Sequence, residues 1–270
     1  MSLNLSKLFY QRAAIQPNHP VILGPHEETC ITYGTFQRDI QHLAEQLRMA
    51  GIHSGMNIGL HYPSGQAYIA FTYALWANGA AVTPISVKLE KEEKKHILQH
   101  IAIDAVISAV QFSDEFITPV IIGEATLLTE QANLFTVKAL REPPPGLAEL
   151  NPAFIRCTSG TTGEAKGVVL SHETIFERIQ GANQGLHIGP ADRIVWLLSM
   201  SYHFAVSIVA YLTFGATIIL PKNTFGRSVL QAAHRHQASL IYGAPPHYEL
   251  MTLDRSGQAL PPLRLAKIGK

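Results

Sequence analysis

The chain has 270 residues, 47% of them hydrophobic, enough to bury a sizeable core in one large domain or two modest ones. Lys and Arg number 21 against 20 Asp and Glu, so no long-range field recruits nucleic acid, an anionic membrane or a strongly charged substrate. Cys30 and Cys157 lie far apart and form no Cys-x-x-Cys pair, which fits a reducing, cytoplasmic location.

The N-terminus mixes Lys7, Gln11 and Arg12 into its apolar residues and lacks the apolar core of a signal peptide. The spacing of Leu5, Leu8, Phe9 and Ala13 predicts a helix over 3–16, ended by Pro17 and Pro20 before a strand at 21–23. A polar turn at 26–28 between short apolar runs predicts a hairpin. Thr35 stands where it can cap the amphipathic helix of Phe36, Ile40, Leu43, Ala44 and Leu47, which Gly51 stops. A strand at 57–61, a helix at 66–77, a strand at 80–84, a charged helix at 90–101 and a strand at 105–109 follow. This alternation predicts an α/β fold with mostly parallel sheets flanked by helices.

From 111 to 152 the pattern weakens, and Pro143, Pro144 and Pro145 mark an exposed connection, so a subdomain boundary is expected near 140–152. Strands resume near 153–155, 195–200, 216–220, 240–243 and 264–268. The run 194–220 contains no Asp, Glu, Lys or Arg and is long enough to cross a bilayer. Ser199, Ser201, His203 and Gly215 split it, and a buried strand, helix and strand in succession read the same way, so no membrane span is expected.

The most informative stretch is Cys157-Thr158-Ser159-Gly160-Thr161-Thr162-Gly163-Glu164-Ala165-Lys166-Gly167. Glycines let the backbone turn and aim its amides at an anion; four hydroxyls can donate to phosphate oxygens, and Lys166 adds a point charge. A solvated Gly/Thr/Ser linker has a similar composition but no need for the lone lysine between apolar strands. A Walker A loop requires a second glycine where Ala165 stands and a hydroxyl where Gly167 stands, and it opens a helix. Here residues 167–170 are apolar and partly β-branched, which predicts a strand returning from a hairpin loop.

This stretch resembles the signature loop of the adenylate-forming (AMP-binding) superfamily, which includes acyl-CoA synthetases, nonribosomal peptide adenylation domains and luciferases. The resemblance extends to Ser171-His172, and departs at Ala165, where the family usually has proline. Residues 192–203 resemble the family's next motif, an apolar strand ending in an aromatic-His pair, which puts His203 beside the acyl pocket; as a bare residue it reads more often as a core histidine, and only the motif position brings the functional reading level. Residues 242–246, Tyr-Gly-Ala-Pro-Pro, resemble a segment lining the substrate tunnel, or simply a strand ended by a Pro-Pro break.

The resemblance implies the N-terminal part of the family's large domain. It implies that Thr158, Ser159, Gly160, Thr161, Thr162, Gly163 and Lys166 hold the β- and γ-phosphates of ATP, and that Thr158 contacts Mg2+. It further implies activation of a carboxylic acid to an acyl-adenylate, then transfer to a thiol of CoA or of a carrier protein's phosphopantetheine. Lys166 and His203 are the residues expected to act on the reacting groups. The sequence ends where the family continues, so residues 1–270 are expected to form an incomplete AMP-binding domain without the mobile lid domain. As an isolated chain it is expected to bind Mg-ATP weakly and to be inactive, and the alternative reading is a truncated, non-catalytic half-domain that at most binds phosphate or a partner chain.

Other constellations read as structural. His96 and His100 share a helical face with lysines, His234 and His236 flank Arg235 on an expected surface helix, and Ser159 and Ser171 lack a hydrolase nucleophile setting.

Overall fold

A computed structural model describes residues 2–25, 30–109, 120–127, 130–136, 141–158 and 166–268. In chain order, α1 (Leu5–Ile15), β1 (Pro20–Leu23), β2 (Cys30–Thr32) and α2 (Tyr33–Met49) come first. They lead into β3 (Asn57–His61), α3 (Gln66–Ala77), β4 (Ala81–Pro84), α4 (Lys91–His100), β5 (Ala105–Ala109), β6 (Val120–Leu127) and β7 (Glu130–Thr136). Next are β8 (Pro152–Thr158), β9 (Lys166–Ser171), α5 (His172–Leu186), β10 (Arg193–Trp196) and α6 (Met200–His203). A π-helical turn (Phe204–Ile208), α7 (Val209–Phe214), β11 (Thr217–Ile219), α8 (Gly226–Arg235), β12 (Leu240–Gly243), α9 (Pro245–Thr252) and β13 (Leu265–Ile268) complete the series.

The chain forms two units, one of residues 1–8 with 38–178 and one of residues 9–37 with 179–270. The Pro-rich connection at 140–152 lies inside the first unit.

The first unit is built on a seven-stranded sheet ordered β6-β7-β5-β3-β4-β8-β9. Its central pairs β5/β3, β3/β4 and β4/β8 are parallel, and β6/β7, β7/β5 and β8/β9 are antiparallel. Every residue of β3 and β5 is buried, so neither strand alternates apolar with polar residues, and the buried His61 and Ser108 meet each other at 2.9 Å. Helix α3 has nine consecutive buried residues, 68–76, and so no polar face. At its end Trp76 meets Phe154 edge-on at 5.2 Å and donates from Nε1 to the Ala153 carbonyl at 2.9 Å.

The second unit carries a six-stranded sheet ordered β13-β12-β10-β11-β1-β2, parallel except for β1/β2. That antiparallel pair is the expected hairpin, and its turn at 26–28 lies outside the described residues. Val195, Ile219, Val229, Ile241 and Met251 form a core under α8 and α9. Those two helices approach closely at Gly226, where an added Cβ would stand 2.0 Å from the Leu250 carbonyl oxygen.

Helix α2 begins three residues earlier than its apolar pattern suggests, at Tyr33 rather than Phe36. Thr32, not Thr35, is its cap: the Thr32 hydroxyl accepts the Thr35 amide at 3.2 Å, because the helix starts straight from the end of β2. Gly51 does stop the helix. Its φ of 94° lets the Ile52 amide reach the Leu47 carbonyl at 2.9 Å and its own amide reach Arg48 at 3.1 Å, a Schellman closure.

Among the described residues no helix is long and apolar enough to cross a membrane; the run 194–220 is divided into β10, α6, the π turn, α7 and β11. His236 departs from the surface expected for it. It is buried, and its Nε2 lies 3.1 Å from the Gly24 carbonyl, a partner that only the folded chain supplies. His234 is exposed as expected. Pro245 and Pro246 do not merely break a strand: they open α9, where their missing amides cost nothing.

Candidate functional site

The signature stretch lies on an antiparallel hairpin of the first unit. Strands β8 and β9 pair from Pro152↔Ser171 to Thr158↔Lys166, so the last rung of the ladder joins the two residues flanking the loop. Ser159, Gly160, Thr161, Thr162 and Gly163 lie outside the described residues, as do the side chains of Thr158 and Lys166. The chain leaves the loop as a strand, which excludes a Walker-type loop opening a helix. One rung below, Cys157 faces Gly167. Burial pushes the Cys157 thiol up, holding it protonated against the apolar cluster of Ile97, Ile101 and Ile155. An added Cβ at Gly167 would come 3.0 Å from Ile101 Cδ1, so α4 approaches the hairpin where only glycine fits without adjustment. A cavity of about 550 Å3 opens there, lined by His100, Arg141, Glu142, Leu147, Ile155 and Gly167.

The far end of the hairpin is pinned by the residues after it. The Ser171 hydroxyl accepts the Thr174 amide at 3.0 Å and caps α5. His172 is 2% exposed, meets Trp76 edge-on at 5.4 Å, and accepts the Leu5 amide on Nδ1 at 3.3 Å. Burial lowers its pKa to about 4, with Glu173 opposing, so the ring is neutral. Glu173 is in turn bonded by the Leu3 amide at 3.1 Å and the Asn151 side chain at 2.8 Å. His172 therefore anchors the hairpin as a buried, neutral ring.

In the second unit His203 closes α6 and is half-buried. Its ring stands edge-on to Tyr242 with centroids 6.3 Å apart, and Tyr242 leans on Trp196 at 5.2 Å. The π turn follows at once, with the Ser207 hydroxyl donating to the His203 carbonyl. Such a wide turn is common beside functional sites, because it re-aims side chains without ending the helix. Between this turn and α5 is a small cavity of about 40 Å3. Nothing in the apolar run signals the π turn or Tyr211 in that wall, and sequence reasoning missed both.

Among the described residues no three His, Cys, Asp or Glu side chains gather to hold a metal ion. His96 and His100 stack at 4.0 Å without a third ligand, and His100 Nδ1 is engaged with the His96 carbonyl.

Residues 9–269 match the family described as AMP-binding enzyme. The sulfoacetate–CoA ligase of Cupriavidus necator is 26% identical over 267 residues, covering 94% of this chain and 52% of that protein. Pyochelin synthetase PchE of Pseudomonas aeruginosa is 26% identical over 250 residues, covering 91% of this chain and 17% of that protein. The chain thus spans about half the length of the first relative and less of the second. The inhibitor-bound N-terminal domain of FACL13 from Mycobacterium tuberculosis has the same fold, with a TM-score of 0.80 and 21% identity over 98% of this chain and 69% of that one. Matched by the family's model along almost its whole length, the chain belongs to the AMP-binding enzyme family.

Proposed function

We propose that this chain is the nucleotide-gripping part of an AMP-forming acid–thiol ligase. The observation that carries the reading is the hairpin: a Gly/Thr/Ser loop held between two strands by the Thr158–Lys166 rung, with Lys166 on the exit strand. In this reading the substrate carboxylate oxygen attacks the α-phosphorus of ATP, the bond to the bridging oxygen breaks, and pyrophosphate leaves. A thiol of CoA or of a carrier protein's phosphopantetheine then attacks the acyl carbon and AMP leaves.

Two anions must meet in the first step, so catalysis rests on spreading negative charge. Thr158, Ser159, Gly160, Thr161, Thr162 and Gly163 are proposed to donate to the β- and γ-phosphates, and Lys166 to neutralise charge as pyrophosphate departs. Mg2+ would supply further neutralisation on the triphosphate, with Thr158 as its proposed contact in this chain. His203, with its edge on Tyr242, is proposed to border the acid's carboxylate. Two free cysteines, one exposed, suit a cytoplasmic setting.

The test is titration of the chain with Mg-ATP, followed by ATP–pyrophosphate exchange in the presence of acetate, octanoate, benzoate and sulfoacetate. Saturable Mg-ATP binding, even if weak, supports the phosphate-gripping reading, and exchange driven by one of the acids would identify the substrate and show the chain to be active on its own. A folded chain that neither binds Mg-ATP nor exchanges with any acid refutes it.

A further inference from the structure

The ladder of the β8/β9 hairpin does not run straight. Pro152 pairs with Ser171, but the next rung is Phe154 with Leu170, so Ala153 is an extra residue on β8, a bulge near the hairpin's open end. Carried straight on from Pro152, the ladder would pair Phe154 with Val169 and Cys157 with Lys166, and Thr158 would fall into the loop. With the bulge, Thr158 closes the ladder opposite Lys166. Side chains alternate along a strand, so a slip of one residue would also turn the rest of β8 over relative to β9.

Two residues hold the bulge in place. Ala153 is fully buried, and a bulged residue drops out of the ladder, so its carbonyl needs a donor from elsewhere. Trp76 supplies one from Nε1 at 2.9 Å. Its ring is wedged edge-on against Phe154 at 5.2 Å and His172 at 5.4 Å, the residues just past the bulge on one strand and just past the end of the other. Asn151 precedes the bulge with a φ of 48°, a left-handed conformation that Asn tolerates. Its carbonyl accepts the His172 amide at 3.1 Å, and its side-chain nitrogen donates to the Leu3 carbonyl at 2.7 Å and the Glu173 carboxylate at 2.8 Å. The entry to β8 and the exit from β9 are thereby tied to each other. Trp76 has no exposed surface, so it acts on a ligand only through the hairpin.

We propose that Trp76 and Asn151 are positioning residues for triphosphate binding: by holding the bulge at Ala153 they select the register in which Thr158 faces Lys166, and so fix where Lys166 meets the nucleotide. The inference rests on the nucleotide-gripping reading above. In the straight register Lys166 shifts by one residue along the ladder, about 3.3 Å, which takes it out of hydrogen-bonding reach of a group it met before. The loss is then that of the charge-assisted contact itself, about tenfold or more in Mg-ATP affinity.

Trp76→Phe removes the donor and keeps an aromatic ring, and Asn151→Gly keeps the left-handed backbone and removes the side-chain bonds. Calorimetric titration with Mg-ATP, well below each protein's melting temperature, is paired with nuclear magnetic resonance of the cross-strand contacts. These place Arg156 against Val168 in the bulged register and against Gly167 in the straight one. Ile58→Ala is the control for stability alone, since it empties a buried site in β3, a strand that does not pair with the hairpin. The expected result is a loss of about tenfold or more in affinity for Trp76→Phe, a smaller loss for Asn151→Gly, and the Arg156–Val168 contact weakened in both. Ile58→Ala should melt lower and bind as the parent does. A folded Trp76→Phe that keeps the parent's affinity or its Arg156–Val168 contact overturns the inference while the nucleotide reading stands; where that variant does not fold, Asn151→Gly decides by the same two readouts. An equal loss of affinity in Ile58→Ala overturns it too, because the effect is then one of stability. A parent chain that does not bind Mg-ATP overturns both readings.

Discussion

The buried His172 makes a prediction that can be worked through in numbers. Its Nδ1 accepts the Leu5 amide, so the neutral ring carries its hydrogen on Nε2, and protonating Nδ1 would set two donors against each other. Burial holds the folded pKa at about 4 against an ordinary 6.5. The unfolded chain takes up this proton first as pH falls, so the stability supplied by the neutral ring is complete above pH 6.5 and is lost progressively down to about pH 4. The full gap, at about 1.4 kcal/mol per pH unit, is about 3.5 kcal/mol, and the loss at pH 4.5 is about 2.5 kcal/mol. His172→Asn keeps an acceptor for Leu5 and cannot titrate in this range. Urea unfolding followed by tryptophan fluorescence at pH 7.5, 5.5 and 4.5 makes the comparison. The variant is expected to be less stable at pH 7.5, because of the cavity it leaves, and to lose about 2.5 kcal/mol less than the parent on going to pH 4.5. Equal losses in the two proteins would refute the assignment of a buried neutral histidine.

Lys166→Ala is expected to weaken Mg-ATP binding by about tenfold or more, the worth of one charge-assisted contact; calorimetric titration reads it, and unchanged affinity argues against the loop's role. Thr32→Ala should cost about 1 kcal/mol in urea unfolding by removing the cap of α2, and Thr35→Ala clearly less; the reverse order would restore Thr35 as the cap. Gly226→Ala should cost about 2 kcal/mol or more, because the new methyl meets the backbone of α9 rather than a movable side chain. A melting temperature equal to the parent's would show that α8 and α9 are not locked at that contact.

How much was legible in the sequence varied with the kind of interaction involved. Strand 57–61, helix 66–77, strand 105–109 and strand 240–243 were readable to the residue because each is a short apolar run bounded by residues that cannot continue it. The hairpin was also readable, since apolar residues on both sides of a Gly/Thr/Ser loop suit two strands and not a strand and a helix. Motif position drew notice to Ser171-His172 and to His203, while nothing local in the sequence indicated that His172 would be a neutral anchor.

What the sequence determined by itself is the alternation of strands and helices, the class of loop between β8 and β9, and membership of the family, because these depend on residue types and spacings along the chain. What tertiary structure decided is which polar groups lose water and what they meet. His236 found Gly24, and Asp192 found Arg264 with a bidentate pair at 2.9 and 3.1 Å. Each outcome depends on residues dozens to hundreds of positions apart being brought to hydrogen-bonding distance. The cost of burying a polar group without a partner is set there, and local sequence carries no measure of it.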